Sequence, residues 1–155
     1  MRREAAGMAE AGRIVVGVDG SVPSLKALRW AVRQAGLSGD TVEAVMSWEY
    51  PAAGWASMVP SMPTDFDPEK LAAQILDDAL EQTLGEDGAA AITRTVRIGN
   101  AAQALMDRAG GASLLVVGDR GYSGFEATML GSVGLHVTQH APCPVVVVRG
   151  EAGTD

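Results

Sequence analysis

Long apolar runs are missing from this 155-residue chain. None approaches the ~18 residues of a transmembrane helix, so no membrane-spanning helix is expected. Cysteine is nearly absent. The single Cys143 leaves no internal disulfide to form and fits a reducing, cytoplasmic setting. It reads as a small buried hydrophobe at the start of a strand. Basic residues are outnumbered, 12 Lys and Arg against 19 Asp and Glu, giving a net charge of −7 and a pI near 4.7. That balance argues against a broad nucleic-acid or anionic-membrane surface. Any polyphosphate bound here needs local help from backbone amides, a metal ion or Arg120. The two histidines, His136 and His140, are four apart on one helix face, and without a nearby third ligand they read as surface residues. No Walker G-x4-G-K-[ST] is present, and no G-x-G-x-x-G follows the first strand, so neither P-loop nor NAD-type chemistry is supported. Arg2 and Arg3 are not followed by the apolar core of a signal peptide, and residues 1–12 read as a disordered extension.

What is present is glycine in a particular place. The apolar run Leu114-Leu115-Val116-Val117 is followed by Gly118-Asp119-Arg120-Gly121 and then by Gly131-Ser132. A buried strand ends, a glycine-rich loop follows, and a helix opens at Ser132. Glycine permits close backbone approach, and a helix opening offers unpaired N–H groups and the positive end of a dipole. Together they suit a phosphate chain. The bland alternative is a surface loop ending in a serine N-cap. With 19 glycines in the chain, this spacing arises by chance in about 3% of sequences of such composition.

The rest of the chain alternates strand and helix. Arg13 to Val18 is a β-branched first strand, broken by Asp19-Gly20-Ser21. A helix from about Val22 to Gly36 carries Leu25, Leu28, Val32 and Ala35 at helical spacing, with Pro23 in its first turn. Thr41 to about Ser47 is the second strand. A proline-rich segment over 49–66 follows, open between a lid that brings Trp48 or Trp55 near a ligand and an ordinary surface loop. Asp67-Pro68 starts a helix with Ala72, Ile75, Leu76, Ala79 and Leu80 on one face. Ala91 to Arg97 is a third strand. Asn100 caps a helix closed by Gly110-Gly111, Leu114 to Val117 is strand four, and Val145 to Val148 is strand five. The expected fold is a single α/β domain over 13–149 with a mostly parallel sheet, and 150–155 as a flexible tail. In such sheets ligands sit at the carboxyl ends of strands where the winding reverses. Asp19 and Gly118 end strands one and four, so their loops face one crevice if those strands are neighbours.

These residues resemble the universal stress protein family. The likeness lies in Val15-Val16-Gly17-Val18-Asp19-Gly20-Ser21 with Ala27 to Ala31, and in Val116 to Gly121, Gly131-Ser132-Val133 and Ala141 to Val145. The G-x2-G-x9-G-[ST] motif matches the ATP-binding branch. The resemblance implies a Rossmann-like five-stranded parallel sheet of order 3-2-1-4-5 with helices on both faces, and a homodimer pairing Val145–Val148. It implies that Val18 and Asp19 contact adenine and ribose, that main chain near Ser47 reads the adenine edge, and that Val117 and Gly118 line the ribose. Gly121, Gly131, Ser132 and Val133 would hold the phosphates, with Arg120 as a further partner. The expected ligand is ATP with Mg2+, and the expected role is nucleotide-dependent regulation through a protein partner that the sequence does not name. Two alternatives stay open: a slow ATPase or nucleotidyl-transfer enzyme, for which Asp119 is the acidic residue of the loop, and a nucleotide-free structural dimer. Replacing Gly118 or Asp19 is expected to remove nucleotide binding and leave the fold intact. Gly134, early in the last helix, is expected to loosen its first turn.

Overall fold

The computed structural model describes residues 12–49, 67–120 and 130–150. The segment 50–66, Gly121 and the rest of 121–129, and both chain ends lie outside those residues. The expectations of a lid over 49–66 and of terminal extensions fall on them wholly or in large part.

Nine elements alternate along the chain: β1 (Arg13–Gly17), α1 (Val22–Ser38), β2 (Thr41–Trp48), α2 (Pro68–Ala90), β3 (Thr93–Ile98), α3 (Ala101–Ala109), β4 (Leu114–Gly118), α4 (Ser132–His140) and β5 (Val145–Val148). All four strand pairings are parallel, in the order β3-β2-β1-β4-β5. The expected order and class are therefore observed. Strands one and four lie side by side, with Val15 opposite Leu115.

Strand alternation divides the interior into two layers. Ile14, Val16, Val42, Ala44 and Val116 face α1 and α2, whereas Val15, Val45, Leu115 and Val117 face α3 and α4. Both faces of the central strands are buried, which is why β1 and β4 read as unbroken apolar runs. On α1 the buried stripe is Ala27, Leu28, Ala31 and Ala35, with Leu25 and Val32 only partly covered. Small residues under the helix axis let α1 lie close on the sheet. On α2 the expected inward Ile75 is 42% exposed, while Ala72, Leu76, Ala79 and Leu80 are buried. The helix covers β2 and the edge strand β3, so the stripe it buries is narrow. At Gly85 (φ 80°) α2 breaks, a backbone state that glycine adopts without strain.

Local signals behave as their chemistry requires. The Asp67 carboxylate accepts from the Glu69 and Lys70 amides, and Asn100 accepts from the Gln103 amide at 2.9 Å. Gly39 closes α1 at φ 82°.

A charged network at the end of the sheet where β1 and β2 begin is not visible in the sequence. Glu43, 1% exposed, points beneath α3. Its carboxylate accepts from Arg108 Nε (2.7 Å), Arg108 NH2 (3.2 Å), Arg13 NH1 (3.1 Å) and Thr95 Oγ1 (2.6 Å). Arg13 also donates to the Arg108 and Gly110 carbonyls, satisfying orphan acceptors at the end of α3. Burial alone would raise the Glu43 carboxyl. The hydrogen bonds from Arg108 and Thr95, with the charges of Arg108 and Arg13, outweigh it and hold the group below its ordinary value.

A lowered folded-state value gives stability that is complete above the unfolded carboxyl range, about 4.3, and is lost as pH falls through the folded value. Glu43→Gln should cost about 2–3 kcal/mol at pH 7, because two guanidinium partners lose their counter-charge. Denaturant titrations from pH 7 to pH 3 check this. The gap between wild type and variant is expected to shrink below about pH 4.

Candidate functional site

Winding reverses between β1 and β4, so the chain leaves those strands in opposite lateral directions and opens a crevice at their carboxyl ends. A cavity of about 290 Å3 occupies it. Val18, Asp19, Ser47, Val117, Gly118, Arg120, Gly131, Ser132 and Val133 all line this cavity. Of the expected site residues, Gly121 lies outside the described chain. Sequence reasoning missed the rest of the lining: Gly17, Ser24, Val45, Ala101, Leu105 and Gly134. The first two turns of α3 supply Ala101 and Leu105, and only the convergence of helix openings at the carboxyl ends of the strands could have signalled them.

The cavity has an apolar side and a polar side. Val45, Leu105, Val117 and Val133 form the first, a surface suited to a flat heterocycle. The Val18 amide makes the last bond from β1 to β2, donating to the Val45 carbonyl at 2.9 Å. Ser47 is two residues further on β2, so its main chain faces the same side as that of Val45 but lies beyond the final rung. The Ser47 hydroxyl donates to the Gly99 carbonyl and ties β2 to the chain leaving β3. Asp19 takes the turn role and also lines the cavity. Its Oδ1 accepts from the Ser21 amide (2.9 Å) and hydroxyl, forming the turn into α1, while its second oxygen makes neither bond and the residue is exposed at the cavity.

The polar side is built by the opening of α4. Gly131 is its N-cap, with φ −68° and ψ 166°, and among the described residues no side chain caps the helix. Ser132 is therefore the first helical residue, one place further in than the serine-cap reading assumed. The first intrahelical bond runs from the Leu135 amide to the Gly131 carbonyl at 2.8 Å. The Ser132, Val133 and Gly134 amides precede it, at the positive end of the helix and on the cavity wall. Arg120 enters from the glycine loop. Its NH1 atom is buried and has no hydrogen-bond partner among the described residues. A buried guanidinium donor left unpaired costs free energy, and an anionic oxygen in the cavity would remove that cost.

Two glycines serve packing in ways the sequence reading did not foresee. A Cβ on Gly118 would lie 2.7 Å from the Pro23 carbonyl carbon and 2.8 Å from its oxygen. Its bareness is thus required by the first turn of α1 and not by the cavity alone. Gly134 is buried, and a Cβ there would meet Leu130 Cδ1 at 3.1 Å. It makes room at the wall and does not merely loosen the helix.

Other candidates fall away from the cavity. Asp119 is 4% exposed and does not line it; Oδ1 accepts from the Gly150 amide at 3.2 Å. Gly150 is itself buried against Pro23, so the hold of the fold reaches one residue into the segment expected to be a tail. His136 and His140 pack ring to ring at 4.6 Å on the exposed side of α4, with His140 Nδ1 3.1 Å from the His136 carbonyl. Burial pushes the Cys143 thiol up, against a smaller opposing effect of Arg13, which leaves it a poor nucleophile at neutral pH.

A model of the universal stress protein family matches residues 10–149. The chain belongs to the universal stress protein family. It is 36% identical over 152 residues to universal stress protein YxiE of Bacillus subtilis, covering 88% of this chain and 98% of that one. A universal stress protein of Mycolicibacterium smegmatis is 30% identical over 145 residues, 89% of this chain and 48% of the relative. The chain spans about half the length of the mycobacterial relatives it matches. Among solved structures, UspA from Lactobacillus plantarum superposes with a TM-score of 0.72 at 24% identity, over 90% and 99% of the two chains. A universal stress protein in complex with cAMP gives 0.65 at 24% identity, over 90% and 98%. An Archaeoglobus fulgidus member in complex with dAMP gives 0.59 at 23%, over 88% and 97%. These likenesses show the same fold in this universal stress protein.

Contact between Gly118 and Pro23 makes a direct prediction. Gly118→Ala should lower stability by about 1–3 kcal/mol without any ligand, because the added carbon meets backbone that cannot rotate away. Thermal unfolding of the ligand-free variant checks it; an unchanged midpoint would contradict the packing role.

Proposed function

We propose that this universal stress protein is an ATP-binding regulatory protein, a cytoplasmic homodimer whose bound nucleotide controls an interaction with another protein. The observation that carries the reading is the buried Arg120 NH1, without a hydrogen-bond acceptor among the described residues, on the same cavity as the opening of α4, which no described side chain caps. Both call for an anion, and the adjoining apolar wall calls for a base. The cAMP and dAMP complexes of two structural neighbours support a purine nucleotide.

In this reading the base lies along the apolar wall, with the Ser47 main chain at its edge. Val18, the free oxygen of Asp19, Val117 and Gly118 hold the ribose. The phosphates take the amides of Ser132 and Val133, the Ser132 hydroxyl and Arg120; the Gly131 amide is already engaged by the Asp119 carbonyl, so Gly131 serves as bare backbone beside the ligand. Mg2+ would be carried mainly by the phosphates, since among the described residues no three His, Cys, Asp or Glu side chains cluster to hold a metal. Binding is favoured over turnover because the Asp119 carboxylate is engaged with the Gly150 amide and does not line the cavity. The proposed folded unit is 13–149 together with Gly150, which packs against Pro23.

Titration calorimetry with adenosine, AMP and ATP tests the site. Arg120→Gln should weaken AMP and ATP by roughly 10- to 100-fold, the worth of a charge-assisted hydrogen bond, and leave adenosine unchanged. Asp19→Ala should weaken all three. Unchanged ATP affinity in both variants sinks the reading.

The homodimer rests on β5, an edge strand bonded only to β4 among the described strands. The Pro144 and Val148 carbonyls accept from β4 and its exit. By alternation, the main chains of Val145 and Val147 face outward, and an open apolar edge invites pairing. Val147→Pro removes an outward amide without touching the β4 ladder. Sedimentation should then show a monomer; a dimer that persists would place the interface elsewhere.

A further inference from the structure

The same few ångströms hold a second charge whose sign works against the proposed ligand. Asp119 Oδ2 lies 3.7 Å from Arg120 NH1 and 3.6 Å from Arg149 Nε. Neither is a hydrogen-bond distance. The carboxylate therefore offsets the Arg120 charge without occupying its NH1 donor, and NH1 stays buried with no hydrogen-bond acceptor among the described residues. Main-chain bonds fix the pair in place. The Asp119 amide donates to the Val148 carbonyl at 3.0 Å, and its carbonyl accepts from the Gly131 amide at 2.7 Å. Arg149 is 68% exposed, so solvent weakens its share of the compensation.

We propose that Asp119 is an affinity-limiting residue: a built-in counter-charge that holds down the attraction of the site for phosphate. The ligand class rests on the nucleotide reading; the sign rests on the charges alone. An anionic oxygen bonded to Arg120 NH1 sits about 3 Å beyond it and roughly 6–7 Å from the Asp119 carboxylate. Like charges at that range in a partly buried site repel appreciably. A site held to weaker binding exchanges its ligand faster, since affinity differences fall mostly on the dissociation rate. Asparagine separates this role from a packing role, because its Oδ1 still accepts from the Gly150 amide while the charge is gone.

The test measures affinities of the full chain for adenosine, AMP, ATP and pyrophosphate at low and high salt. Asp119→Asn should bind AMP, ATP and pyrophosphate roughly 3- to 10-fold more tightly at low ionic strength, a gain that shrinks as salt rises. Adenosine should be unaffected. Arg149→Gln, which leaves Asp119 less compensated, should shift the phosphate ligands the other way. Weaker or unchanged phosphate binding in a folded Asp119→Asn overturns the inference and makes Asp119 a positioning residue for Arg120. Should that variant fail to fold, Arg149→Gln decides, and no weakening overturns it equally. If pyrophosphate follows the expected signs while adenosine and its nucleotides do not bind the wild type, the inference stands and the nucleotide reading falls. Nucleotides that bind with no difference between the proteins give the reverse.

Discussion

Pro23, in the first turn of α1, touches backbone at two places that leave no space for a side chain. A Cβ on Gly118 would come within 2.7 Å of it, and one on Gly150 within 2.6 Å. Through these contacts α1 is seated against the exits of β4 and β5 at once. Gly118 then leads straight into Asp119 and Arg120, and the Asp119 carbonyl holds the Gly131 amide that begins α4. The candidate site is built outward from one close approach of a helix to two strand ends.

The two ends of the sheet use charge differently. Where β1 and β2 begin, Glu43 is surrounded by donors that match it, and the outcome is structural: β1, β2, β3 and α3 are joined through one carboxylate. Where the strands end, the matching is incomplete. Arg120 NH1 has a counter-ion at 3.7 Å but no hydrogen-bond acceptor among the described residues, and none of those residues supplies α4 with a side-chain cap. A buried network that is fully satisfied rigidifies, whereas a donor left short of an acceptor calls for a water, an ion or a ligand to complete it.

Much of this fold was legible because its signals are local. Val145–Val148 is bracketed by prolines, Asp67 and Asn100 cap with their own side chains, and the alternation of elements dictates a parallel sheet. The strand order came from family likeness and not from periodicity. Periodicity also misjudged which residues lie deepest: Leu25 and Val32 share the spacing of Ala27 and Ala31, and only the close packing of α1 decides between them. Glu43 was invisible for a different reason. Its partners lie 30, 52 and 65 residues away, and nothing near it in the chain announces them. Asp19, Gly118 and Arg120 were singled out in the sequence and the fold brings them to one cavity, but Gly118 was credited to the ligand when part of its work is done for Pro23.

The central claim is that the cavity at the ends of β1 and β4 holds a nucleotide by its phosphates. The most direct measurement is to denature the purified protein, identify any released nucleotide by chromatography, and determine its ratio to chains. The account predicts adenine nucleotide, as ATP, near one per chain, or full loading when Mg-ATP is added to protein that arrives empty. Protein that releases nothing and takes up no added Mg-ATP would contradict it, leaving the fold of a universal stress protein without this function.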